Sequence, residues 1–192
     1  MTAACVRVVT WLFPYSGSLL LTSQDTDDDV GLYHFLRHVL RKTRTQPVVM
    51  VSTLLLLLRF RQRRTHGFGL SRRKLLITAL MIASKTLCDT TYSNRAWVTA
   101  MNHLFTLHEI NGMERQFFRE MGWRLTISSA ELFAFIHMVR AHFGARGHRH
   151  SPAAGRSAIY ASVRMLTNDM VRPAVTNQIN ASTNISASEA AS

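Results

Sequence analysis

The stretch from Pro47 to Leu58 constrains this chain more than any other. Pro47 opens a helix near its first turn, where its missing N–H is no loss. Val51, Leu54, Leu55 and Leu58 come next, on a helix that is apolar nearly all round, so other elements must wrap it. A bilayer is not the expected wrapping. A spanning helix needs about 20 apolar residues. The longest pure run here is Leu54–Leu58, and extending it to Val48–Leu58 admits Ser52 and Thr53. The expectation is a central helix and no membrane span. The chain has 192 residues, 47% of them apolar, which suits one domain with its own core.

The flanking segments read as further helices. Leu32, Phe35, Leu36, Val39 and Leu40 recur at amphipathic spacing, with Arg41, Lys42 and Arg44 at the C-terminal end where cations are favoured. Gly67 and Gly69 break the chain after the Pro47 helix. Ser71 then caps a third helix carrying Leu75, Leu76, Ala79, Leu80, Ile82 and Ala83. Asn94 is the expected cap of a short fourth helix with Trp97 and Met101. Thr106 and Glu109 form a capping box for a fifth, striped by Ile110, Met113, Phe117 and Met121 and ended by Gly122-Trp123. Ser128 and Glu131 repeat the box for a sixth helix bearing Leu132, Phe135, Ile136 and Val139. No hairpin signal and no internal repeat interrupts this all-α reading. Leu54, Leu58, Leu76, Leu80, Ala83, Trp97, Met113 and Phe117 are the expected core, and Trp123 is placed in the core as well.

The ends differ from the middle. Residues 1–28 read as an N-terminal extension. Its run Val8–Phe13 looks somewhat like a signal peptide, but Pro14 and Gly17 interrupt it and no A-x-A site comes after. Asp25, Asp27, Asp28 and Asp29 lack the mid-loop Gly and terminal Glu of a calcium loop, so they read as a helix lead-in. From Gly144 to Ser192 the composition turns to Gly, Arg, His, Ser, Ala and Asn, which predicts a mobile basic and polar tail. The sequons at Asn180 and Asn184 read as coincidences of that tail. The domain itself is expected over 29–143.

Catalytic patterns fail on inspection. His108-Glu109 begins like a zinc helix, but Gly112 stands where the second His belongs. No P-loop, GxGxxG or GxSxG occurs, and no catalytic residue, metal or cofactor is expected. His148 and His150 read as a solvated basic loop. Cys5 and Cys88 are too few for a disulfide framework and read as small apolar groups, which suits cytoplasm or nucleus.

Charge is the strongest compositional signal. There are 23 basic residues against 11 acidic ones, and 20 of the basic residues are Arg. Such a balance favours acidic partners: nucleic acid, an anionic membrane or an acidic protein surface. Arg59, Arg61, Arg63, Arg64, Arg72, Arg73 and Lys74 fall within 16 residues that hold no acid. They are expected together at one end of two helices, as a nuclear-import signal, a phosphate contact, a docking patch for an acidic substrate, or simply a solvated loop. Only Phe60 and Phe68 are interleaved, which argues against single-strand nucleic-acid binding.

One longer pattern carries a resemblance. Leu75-Leu76-Ile77-Thr78-Ala79-Leu80-Met81-Ile82-Ala83-Ser84-Lys85 looks like the third helix of a cyclin box. Asp89-Thr90-Thr91-Tyr92-Ser93-Asn94-Arg95-Ala96-Trp97 resembles the D-x-x-Y-x-N-x-x-W signature of the fungal phosphate-pathway (Pcl-type) cyclins and of cyclin Y. Glu109-Ile110-Asn111, Met113-Glu114 and Gly122-Trp123-Arg124-Leu125 resemble the next E-[IL]-N-x-[ML]-E and W-R-L elements of that group. The resemblance implies a single box of five helices around a central third helix, plus one further helix. It implies a non-catalytic subunit that pairs with a cyclin-dependent protein kinase, holds that kinase's αC helix in its active position and contributes to substrate choice. Lys85 and Glu114 match the family's kinase-binding positions, and Asp89 is expected to face an Arg near the kinase's activation segment. The other reading of Lys85 and Glu114 is an intramolecular surface ion pair. The alternative function is a basic, cyclin-like helical protein that binds nucleic acid.

Overall fold

The computed structural model describes residues 2–14, 29–63 and 71–143, and these residues contain helices only. In chain order they are α1 (Thr2–Leu12), α2 (Asp29–Thr43), α3 (Pro47–Arg63), α4 (Arg72–Leu87), α5 (Asn94–Ala100), α6 (Leu107–Met121) and α7 (Ser129–Phe143). The extension before Asp29 therefore contains a helix, α1, that the sequence reading does not assign. The acidic residues 25–28, Arg64 of the basic cluster, and the tail from 144 to 192 with its histidines and sequons lie outside the described residues.

Two helices share the centre. In α3 every residue from Ser52 to Leu58 is buried, and in α4 every residue from Leu75 to Ala83. The two lie side by side, so the Pro47 helix and the third box helix wrap one another rather than one alone forming the axis. Small Ala79 and Ala83 on α4 permit the close approach. Phe60 of α3 stacks on Phe117 of α6, centroids 5.0 Å apart and planes 15° apart, tying α6 to the pair. The eight residues named as the expected core are all buried, Trp123 is not, and Leu132, Ile136 and Val139 of α7 are half-buried.

Helix α1 covers what the pair leaves open. Its Cys5, Val6, Val8, Val9 and Leu12 are buried, and the helix packs on α2, α3 and α7. Burying a Val or Leu side chain stabilises by about 1.5–3 kcal/mol, so this docking outweighs the poor helix propensity of its β-branched run. Burial pushes the Cys5 thiol up to about 11. Two arginines finish the joint. Arg7 Nη2 donates to the Phe143 carbonyl at the end of α7 (2.8 Å), and Arg61 Nε donates to the Leu12 carbonyl at the end of α1 (3.3 Å). Both satisfy orphan carbonyls at the negative end of a helix dipole.

Local signals fix most boundaries. Ser71 Oγ accepts from Lys74 N, and Thr106 with Glu109 closes the full capping box of α6. Thr106's backbone and hydroxyl hydrogen bonds hold the Glu109 carboxyl below the usual range, with Lys74 adding to the effect. Gly122 ends α6 in the left-handed region at φ 56°, which glycine adopts without strain. One expected cap differs: Ser93, not Asn94, caps α5 by accepting from Ala96 N. At α7, Ser128 Oγ accepts from Glu131 N, and the Glu131 carboxylate pairs with Arg59.

Candidate functional site

Lys85 sits in the last turn of α4, Asn94 at the start of α5, and Asn111 with Glu114 on one face of α6. The fold brings the four together. Lys85 Nζ donates to Glu114 Oε1 at 2.5 Å and to Asn94 Oδ1 at 2.6 Å. Asn94 Nδ2 donates to Glu114 Oε2 and to Asn111 Oδ1, both at 2.7 Å. The Lys85 and Glu114 side chains remain 28% and 14% exposed. An ammonium has three donors and a carboxylate about four acceptor sites, so the network keeps one N–H of Lys85 and lone pairs of Glu114 for a visitor. Because Asn94, itself held by Asn111, bonds both charged side chains, a partner would not have to immobilise them.

The intramolecular pair and the outward-facing pair are thus one arrangement. The motif singles out Lys85 and Glu114, but sequence reasoning misses Asn94 as their shared partner and Asn111 as the residue that holds Asn94. Asn111 lies three residues before Glu114, which places both on one helical face, and that spacing is the available signal. Asn94 is freed from the capping role expected of it because Ser93 takes that job one residue earlier.

An aromatic platform adjoins the network. Phe118 lies one helical turn after Glu114 on α6. Trp123, at φ 60° just after Gly122, folds back over it with ring centroids 5.0 Å and planes 11° apart. Trp123 is 72% exposed, so the expectation that it packs in the core is corrected. Two consecutive left-handed residues turn the chain outward and carry the indole off the buried stripe of Ile110, Met113, Phe117 and Met121. Trp97, by contrast, is fully buried and meets Tyr92 edge to face at 6.0 Å. Leu87, two residues past Lys85, is also exposed. Asp89 is exposed on the loop between α4 and α5, without an ion pair among the described residues.

The basic cluster is distributed through the fold. Arg59 is paired with Glu131 of α7 and donates Nη1 to the Thr126 carbonyl at 2.8 Å. Arg61 reaches the end of α1. Arg72, only 6% exposed, bridges Asp29 Oδ1 of α2 (2.9 Å) and Thr10 Oγ1 of α1 (3.4 Å). The Arg73 guanidinium lies 5.9 Å over the Phe35 ring. Lys74 meets Glu109 at 3.5 Å and the Phe105 ring at 5.7 Å. Arg63 is exposed, with its guanidinium against Gly122. Among the described residues no group of three His, Cys, Asp or Glu is placed to hold a metal, and no helix is long and apolar enough to cross a membrane.

The profile of the cyclin N-terminal domain matches residues 29–126, which takes in α2 to α6 and both halves of the Lys85–Glu114 network. PHO85 cyclin-2 of Saccharomyces cerevisiae is 26% identical over 108 residues, 55% of this chain and 35% of that protein. PHO85 cyclin-9 of the same yeast is 24% identical over 101 residues, 51% of this chain and 33% of that protein. The chain spans about a third of the length of these curated relatives. With half of its residues matched to that one domain and its helices in place around it, the chain belongs to the cyclin family.

Proposed function

We propose that this chain is a non-catalytic subunit that binds a cyclin-dependent protein kinase, activates it and contributes to its choice of substrates. One observation carries the reading: the pre-set Lys85–Asn94–Asn111–Glu114 network opens to solvent beside the exposed Trp123–Phe118 stack. A partner helix end offers backbone C=O groups to Lys85 and N–H groups to Glu114, and an apolar side chain beside them would cover the indole. Fully desolvated, such charged hydrogen bonds fix register and resist dissociation. The names of the two yeast relatives associate them with PHO85, which supports a kinase of that class as the partner. Cytoplasm or nucleus is the proposed location, in keeping with the free thiols Cys5 and Cys88.

The test is co-expression with a panel of cyclin-dependent kinases, capture at about 150 mM salt and assay of the captured kinase. The wild-type chain should retain and activate at least one kinase. The Lys85→Ala/Glu114→Ala double variant should keep its helical spectrum and lose that kinase. Normal capture and activation by the folded double variant would remove these residues from the interface, and no capture by the wild type would end the reading.

A further inference from the structure

Most cations of the sequence cluster between residues 59 and 74 hold helices together. A second group of cations, on α2, is exposed on one face of the helix. No acidic residue occurs between Asp29 and Asp89. Asp29 itself, the one acid on α2, is taken by Thr10 (2.8 Å) and Arg72 (2.9 Å). Downstream of it, His34, Arg37, His38, Arg41 and Lys42 recur at helical spacing on an arc of roughly 140°. That arc stands opposite the buried Leu32, Leu36, Val39 and Thr43. His34, Arg37, Arg41 and Lys42 are exposed, and the five residues line one surface depression. Arg37, Arg41 and Lys42 make no ion pair among the described residues.

We propose that this face of α2 docks an acidic peptide segment of a protein partner. The stripe from His34 to Lys42 is about 12 Å long at the helical rise, which matches three or four residues of an extended peptide. Three permanent cations on one face, paired with no carboxylate among the described residues, attract carboxylates, and the Arg forks can take them bidentately. A nucleic acid fits less well. So short a stripe reaches only a few phosphates, and binding by so few contacts is weak at physiological salt. The rings beside the stripe, Tyr33 and Phe35, are half-buried, Tyr33 against His34 and Phe35 beneath Arg73, which leaves little ring face on which bases would stack. The identity of the peptide as part of a kinase substrate rests on the proposed function, but the binding itself does not.

The experiment uses the full chain without a kinase. A fluorescein-labelled Glu/Asp-rich peptide is titrated by anisotropy at low salt and at about 150 mM salt. The wild type should bind, and Arg37→Glu/Arg41→Glu/Lys42→Glu should weaken binding by about tenfold or more. The Gln versions of the same three substitutions give the same test should the reversal disturb folding. Kinase capture by these variants should stay at the wild-type level. Unchanged peptide affinity would overturn the proposal. So would tighter binding of a single-stranded oligonucleotide lost in the same variants, and so would loss of kinase capture, which would assign α2 to the kinase contact. Absence of kinase capture by the wild-type chain with peptide binding intact would instead remove the kinase reading alone.

Discussion

Replacing Trp123 with Ala separates a binding role from a structural one. The indole is 72% exposed, so the fold covers little of it, chiefly through Phe118. A stacked aromatic pair is worth about 0.5–1.5 kcal/mol beyond its buried area. Trp123 also sits at φ 60°, a strained region for a bulky residue, and Ala at the same position relieves little of that strain. The variant should therefore lose about 1 kcal/mol of stability and a few degrees of melting temperature. At an interface the loss is larger. A central Trp commonly costs about 2 kcal/mol or more when truncated, which is about a 30-fold loss in affinity. Thermal melting of the free chain and a kinase-binding titration measure the two effects separately. An affinity within about threefold of wild type would refute the platform as an interface. A melting temperature lowered by more than about 10 °C would show that the stack is structural instead.

Three further outcomes rest on the buried and capped groups. Glu131→Ala should cost about 1–3 kcal/mol, because Arg59 keeps the Thr126 carbonyl but loses its carboxylate in a largely buried site, and denaturant unfolding reads the loss. Glu109 has a lowered pKa when folded, so its contribution is fully present above the ordinary glutamate value of about 4.3 and disappears as pH falls through the lower folded value. Glu109→Gln should flatten that acid limb of the stability profile, and an unchanged limb would show that the capping box does not matter. With Cys5 buried and its thiol pushed up to about 11, a thiol reagent at neutral pH should label half-buried Cys88 first and reach Cys5 only on unfolding.

The fold is legible in the sequence where one physical signal dominates. Periodicity and caps locate α2 to α7 because α2, α3, α4 and α6 bury an apolar face and most of the six open on Ser or Thr. Helix α1 carries the same spacing in Cys5, Val8, Val9 and Leu12, yet its short apolar run also resembles a processing segment, one that Pro14 and Gly17 interrupt. Its packing on α2, α3 and α7 is visible only in the fold. Trp123 is misplaced by sequence reasoning because hydrophobicity alone argues for burial. Its position after the Gly cap, off the α6 stripe, is the better guide. Lys85 and Glu114 come from a motif, whereas Asn94 depends on which of two adjacent cap residues wins, and sequence rules rank Asn and Ser as near equals at that position.

The contrast between the basic cluster and α2 lies in what each cation reaches. Arg72 must meet acceptors on two different helices, Asp29 on α2 and Thr10 on α1, while itself nearly buried. Arg59 likewise spans a carboxylate on α7 and a main-chain carbonyl in the loop before it. A planar guanidinium with five donors can satisfy such pairs at once, and it stays charged under burial. Lys offers a flexible point charge, and in the cluster it appears at Lys74, where one carboxylate and one ring face suffice. The α2 stripe follows the opposite logic. Its Arg37, Arg41 and Lys42 meet no carboxylate among the described residues, so no described contact of α2 requires them to be charged. The fold would tolerate their neutral replacements, and the positive stripe therefore points outward, to what the helix meets in solution.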